Sequence, residues 1–388
     1  MILRRSLVLR TIGISIIAVL VGSAVAWADP AYTGPPDAPP LAPSVPYGLM
    51  PYGSAGSTVA EPGCGLPSTT CERLPTWNFD VPETCPCEPP CTKWRFQADA
   101  IGLMRSAGPG VNVGQTIVAP GGTLVDTLNA NSAPFSIQPG MRLALSMRVD
   151  DQISWQAVYF GLQNWSGSNS ILANAGRGIV ATSPYTQADK VLGGFDTSLG
   201  YSYRSRLNNV ELNRFRLLGE NCDWSISTLA GFRYFQWNES FTLTGVDRFF
   251  GVTENVNSSS NNYLVGGQVG ADVRRNWSRF SLDMIGKAGL YANFIQQSKS
   301  NLDTTGAAGL PAPGVVPISN FRRTACAAGV LDFSAVGSYQ VWTHFSVRAG
   351  YQLLFVDGLA LAPSQLAGPS HSGNIFLHGP TAGFEYSW

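Results

Sequence analysis

Charged side chains make up only 13% of this 388-residue chain, so where they fall carries weight. From Lys93 onward a set of them occupies one parity of segments in which polar and apolar residues alternate. Arg95 with Asp99, Arg142 with Arg148, Asp196 with Arg204 and Arg206, Arg233, Asp272 with Arg274, Asp283 with Lys287, Asp332, Arg348 and Glu385 all belong to this set. Successive side chains of a strand point to opposite faces, so these residues define a polar face on each segment. If the segments close into a barrel with their apolar faces outward, the set lines a lumen. Charges of both signs there either select and guide solutes or pair with one another and fill the interior.

Other chemistry is sparse. The three histidines, His344, His371 and His378, have no serine or acidic residue fixed beside them by sequence, so no catalytic set is expected. Five of the seven cysteines, Cys64, Cys71, Cys85, Cys87 and Cys91, cluster ahead of the alternating region. Clustered cysteines in an exported chain form disulfides. Cys222 is expected to join them in a set of six and Cys326 to stay reduced, facing the lumen. Six cysteines allow about 15 connectivities, and none is chosen. A zinc site at Cys85, Cys87 and Cys91 is disfavoured by the spacing and the lack of a nearby histidine, so no metal or cofactor is expected.

The elements that would position the charges are clearest between Tyr263 and Phe294. Tyr263, Val265, Gly267, Val269, Ala271 and Val273 share one parity. After Arg275-Asn276-Trp277-Ser278, Phe280, Leu282, Met284, Gly286, Ala288, Leu290, Ala292 and Phe294 do the same. Alternation sustained over roughly 11 to 16 residues exceeds an ordinary strand and matches the 9 to 11 that cross a bilayer at a tilt. Comparable segments begin at Trp94, Met141, Ile153, Phe195, Ile226, Ala325, Phe345 and Ala382, which gives about ten strands. Between Ile153 and Leu162 both parities are apolar, and the facing there is undetermined.

Short connections near Asp151, Asn221, Asn276 and Gln340 alternate with long ones. The long ones are expected over 106–139, 164–192, 238–262, 296–322 and 357–374, and the polar run Asn255 to Asn262 reads as outer loop. The expected fold is all-β, a transmembrane antiparallel up-and-down barrel with short turns on the periplasmic side. Trp94, Trp224, Trp277, Trp342 and Trp388 fall at the short-turn ends, where an interfacial girdle would sit.

The barrel is expected to occupy 93–388. Ahead of it, 1–28 reads as a signal peptide: Arg4, Arg5 and Arg10, an apolar core from Ile12 to Val21, and Ala26-Trp27-Ala28 as the cleavage site. Residues 29–92 hold 15 of the 26 prolines and read as an extended, cysteine-bearing periplasmic arm that could reach a periplasmic or cell-wall layer. Removing the three leader arginines from 25 basic residues leaves 22 against 25 acidic ones, so the mature chain is near neutral and no nucleic acid partner is expected.

Leu199 to Arg216, LGYSYRSRLNNVELNRFR, and Ala230 to Leu243, AGFRYFQWNESFTL, resemble the type-seven beta-barrel porins, as do the opening strand WRFQADAIGLMR and the terminal Trp388. The resemblance implies an outer-membrane barrel in lipid and porin-like passage of small polar solutes. Phe384, Tyr386 and Trp388 at alternate positions resemble the signal read by barrel-assembly machinery. The competing expectation is a closed barrel with a structural, surface-contact or tethering role.

Overall fold

The computed structural model describes residues 93–388 apart from 119–122, 174–176, 181–193, 196–197, 222, 248–251, 303–318, 367 and 369. The signal peptide, the arm with its five cysteines, Asp196 and Cys222 lie outside the described residues.

Fourteen strands follow in chain order among the described residues. They are β1 (Trp94–Arg105), β2 (Asn112–Val118), β3 (Thr123–Asn129), β4 (Gln138–Arg148), β5 (Ile153–Leu172), β6 (Arg177–Val180), β7 (Gly194–Phe195) and β8 (Ser198–Glu220). Then come β9 (Trp224–Asp247), β10 (Val252–Trp277), β11 (Phe280–Leu302), β12 (Ser319–Trp342), β13 (Phe345–Leu359) and β14 (Gly373–Ser387). Ten of them close into an antiparallel barrel in the order β1, β14, β13, β12, β11, β10, β9, β8, β5, β4. The seam is the pairing of β1 with β14, where the Trp94 amide donates to the Trp388 carbonyl at 2.9 Å and the Trp388 amide returns a bond at 3.0 Å. Closure leaves no sheet edge, the condition for a β-structure to cross a bilayer.

The exterior fits that condition. Phe232, Val269, Leu290, Phe294 and Phe333 face outward and are exposed, Leu290 to 79%. So much exposed apolar surface is a liability in water and is solvated in lipid. Trp277, Trp342 and Trp388 are exposed at the short-turn end, Trp94 and Trp224 half-exposed beside them, and Phe384 and Tyr386 continue the outward strip of β14.

The other four strands form a separate sheet, β3-β2-β6-β7, from the connections after β1 and β5. Val113, Leu128, Ala130 and Ile179 from these segments share a core with Leu199, Tyr201, Tyr203, Phe241 and Leu243 on β8 and β9. The barrel wall thus continues past any apolar band and carries a small sheet against its inner side.

Two expectations need correction. The connections expected over 238–262 and 296–322 are shorter, and that expected over 164–192 begins later, because β5 and β9 to β12 run on as strands; β10 has 26 residues and contains Asn255 to Asn262. At about 3.3 Å per residue such a strand is roughly 80 Å long, far more than an apolar band about 25 Å tall requires.

Arg204 and Arg206 were expected in the lumen and instead face outward, exposed, while Tyr203, Ser205 and Leu207 between and beside them are buried. Alternation separates two faces without naming the inner one. In the upper part of β8 the apolar face packs inward on the small sheet, so the rule that holds in lipid inverts. Ile153 to Leu162 is apolar on both parities because Val158 and Phe160 face a buried interior while Trp155 and Leu162 face outward; beyond a bulge at Leu162, with φ of 73°, the inner parity passes to Gln163 and Trp165.

Candidate functional site: the barrel interior

The interior is stacked in layers from the short-turn end upward. The first holds Arg95, Asp99, Arg142, Arg148, Asp272, Arg274, Asp283, Arg348 and Glu385. Arg95 Nε lies 3.3 Å from Glu385 Oε1, and Arg348 bridges Asp99 Oδ1 at 3.2 Å and Glu385 Oε2 at 3.4 Å. Arg142 reaches Asp99 at 3.6 Å, and Arg274 reaches Asp283 at 2.7 Å. Arg148 and Asp272 line the same space, a cavity of about 120 Å³.

Above it lies a charge-balanced quartet. Arg233 Nη2 donates to Glu211 Oε1 at 2.7 Å and to Asp332 Oδ2 at 2.5 Å. Lys287 Nζ contacts the same two carboxylates, each at 2.9 Å. These residues come from β9, β8, β12 and β11, so the set ties together strands that are not neighbours. Amides add bonds to the carboxylates: Asn209, Asn213 and Gln268 donate to Glu211, and Gln352 donates to Asp332, whereas Arg233 Nε and Nη1 are buried without a partner among the described residues. Ions this deeply buried are stable only when paired and hydrogen-bonded in this way.

An apolar layer follows. Ile101 and Leu103, Phe160 and Trp165, Leu207, Phe235 and Trp237, Leu264, Tyr291, Val330, Leu354 and Val356, and Ile375 and Leu377 form one buried cluster. Every barrel strand except β4 contributes, so the cluster crosses the lumen from wall to wall.

The chain itself completes the filling. At Gly358, φ is 79° and the pairing of β13 with β14 shifts register, which turns the backbone inward. A Cβ there would stand 2.5 Å from the Ala327 carbonyl, so glycine is required. The following segment, Ala360 to Leu366, is buried apart from half-buried Ser364 and docks by backbone bonds. Asn262 donates to the Ala360 carbonyl at 2.9 Å and accepts from its amide at 2.8 Å. Ser260 also donates to the Ala360 carbonyl, Ser258 to that of Ala362, and the Ala362 amide donates to Glu239. Alternate residues of the polar run expected to be loop, Ser258, Ser260 and Asn262, thus form the inner face of β10 that receives this plug.

Glu239 is in turn paired with Arg105 at 2.9 Å, accepts from Tyr203 and from the Trp237 indole, and is solvent-free. The Arg105 guanidinium lies 4.6 Å from the ring centres of both Phe135 and Tyr203. Alternation did not single out Arg105, Glu211, Glu239, Trp165, Trp237, Asn262 or the plug. An acidic residue among apolar ones on a strand, as in Glu211 and Glu239, was the available signal.

Cys326 faces inward, half-buried, with its thiol 3.4 Å from the Gly358 carbonyl. His344 contacts the Ser387 carbonyl, His378 contacts the Tyr351 hydroxyl and stacks on Phe376, and His371 is exposed. Among the described residues no three histidine, cysteine or acidic side chains converge as metal ligands.

Fold and interior together define a closed ten-stranded antiparallel β-barrel with a lipid-compatible exterior, of the outer-membrane type. No protein-family model matches the chain, so the likeness to type-seven porins stays a resemblance of short stretches, and no curated protein matches it. Among solved structures, the outer membrane protease OmpT from Escherichia coli matches at 13% identity and a TM-score of 0.44, over 79% of this chain and 99% of that one. The translocator domain of the autotransporter NalP from Neisseria meningitidis matches at 11% and 0.34, over 76% and 89%. The CymD monoaromatic hydrocarbon channel matches at 10% and 0.26, over 76% and 89%. These likenesses concern the barrel's course alone, and the functional argument rests on the interior.

Proposed function

We propose that this protein is an outer-membrane barrel whose lumen is closed in its ground state and whose role is structural or surface-contacting rather than catalytic. The observation that carries this reading is the unbroken apolar cluster across the lumen, seated on the Glu211, Arg233, Lys287 and Asp332 quartet and covered by Ala360 to Leu366. A polar solute would have to desolvate through that layer, and a pore needs the opposite, a continuous wet path. About eight strands enclose a space that side chains fill, and ten strands with an inserted segment remain in that regime. The short-turn end is assigned to the periplasm and the small sheet to the outside. The lipid-facing strip ending in Phe384, Tyr386 and Trp388 is what barrel-assembly machinery would engage. A tether through residues 29–92 fits the same topology.

A second reading, porin-like passage, is favoured by one feature: the arginine-rich cavity at the short-turn end. On that reading Ala360 to Leu366, held by hydrogen bonds from Ser258, Ser260 and Asn262 and to Glu239, is a gate. Flux of small sugars and amino acids into proteoliposomes separates the two. No flux from the intact protein supports closure. Flux only after Ala360 to Leu366 is replaced by a glycine-serine segment supports gating, and flux from the intact protein overturns the closed reading.

A further inference from the structure

The arginines displaced from the lumen point to a lipid site. The outward face of β8 runs Arg204, Arg206, Asn208, Val210, Leu212, Arg214, Arg216, while the residues between them from Ser205 to Phe215 are buried inside. All four arginines are exposed, and among the described residues none has a side-chain hydrogen bond or ion pair. Two pairs of free guanidinium groups therefore flank a short apolar window on a surface that otherwise meets lipid.

The spacing fits a bilayer. The centres of the two pairs are ten residues apart on β8. At about 3.3 Å per residue and a tilt near 40°, they are separated by roughly 25 Å along the membrane normal, the height of the apolar band of such barrels. The flanking residues differ in the appropriate sense. Arg204 and Arg206 pair across the sheet with Ser166, Asn164, Ser240 and Asn238, all polar, at the end that extends toward the small sheet. Arg214 and Arg216 pair with Trp155, Ile153, Ala230 and Thr228, so an indole and aliphatic groups lie beside the guanidinium groups at the other end. A tryptophan beside a cation suits a membrane interface, and the guanidinium fork matches phosphate oxygens in a bidentate way.

We propose that the outer face of β8 binds the phosphate groups of anionic lipids in both leaflets, with Arg204 and Arg206 serving one interface and Arg214 and Arg216 the other. This rests on the membrane-spanning reading. Bound head groups would fix the depth and tilt of the barrel along this strand.

The test is native mass spectrometry of the full mature protein from phosphatidylcholine bilayers, with and without a minority of phosphatidylglycerol. Wild type should retain phosphatidylglycerol over phosphatidylcholine on the order of tenfold, given roughly 1 kcal/mol per cationic side chain at an anionic surface. Arg214→Gln/Arg216→Gln and Arg204→Gln/Arg206→Gln should each lose roughly half of that excess and the quadruple variant all of it, and Arg→Lys pairs, which keep the charge but not the fork, should keep only part of it. Equal retention of both lipids by inserted wild type, or an excess that survives in the quadruple variant, overturns the proposal. So does a wild-type dimer that the substitutions abolish without changing lipid retention. Failure of wild type to insert into either bilayer would instead overturn the membrane reading.

Discussion

Arg233 and Asp332 meet at 2.5 Å although their strands, β9 and β12, are separated in the sheet by β10 and β11. The pair is a chord across the interior, not a ladder contact, and Glu211 and Lys287 close it into a quartet. Such chords make the interior a packed core, and stability should depend on them as a soluble protein's does on its centre.

Arg233→Met leaves two buried carboxylates to share Lys287. Breaking a buried pair in this way costs about 3–5 kcal/mol. Urea titration of the vesicle-folded barrel should show a matching loss, and Arg233→Met/Asp332→Leu should lose less than the sum of the single changes. A loss within about 0.5 kcal/mol, the range of ordinary surface substitutions, would contradict the quartet's role.

Gly358 directs the chain into the lumen, and its carbonyl accepts from Asn293 at 2.8 Å and from Cys326. Gly358→Val should dislodge Ala360 to Leu366 and expose the Cys326 thiol. Site-resolved maleimide labelling of folded protein should modify Cys326 slowly in wild type and several-fold faster in Gly358→Val. Equal rates would contradict the docking.

The outward tryptophans at the short-turn end give an independent readout of depth. Trp277 and Trp342 are exposed on the lipid side, whereas Trp165 and Trp237 are buried inside, their ring centres 5.6 Å apart. Brominated lipids should quench Trp342 in a single-tryptophan variant strongly and Trp237 weakly. Reversed quenching would mean the faces are misassigned.

The sulfur expectation also has a definite outcome. Mapping of non-reduced peptides should find Cys222 bridged to one of Cys64, Cys71, Cys85, Cys87 and Cys91, with Cys326 unbridged. An unmodified, unbridged Cys222 would contradict it.

The ten strands and their antiparallel order were legible because a period of two survives in any strand with unlike faces. Which face lies inside was legible only where lipid sets it. Along the lower half of β8, Val210 and Leu212 face out and Asn209, Glu211 and Asn213 face in. Higher up, Leu199, Tyr201 and Tyr203 face in because the small sheet covers them, and this sent Arg204 and Arg206 to the wrong side. The same inversion made Asn255 to Asn262 look like a loop. Its serines and Asn262 bond to a chain segment nearly a hundred residues later, Ala360 to Leu366, and local periodicity cannot register such a partner.

Closure of the lumen can be read out by single-channel recording of the intact protein in a planar bilayer. The sealed interior predicts a silent trace from protein shown to be inserted. Discrete steps of constant size from that same protein would contradict it.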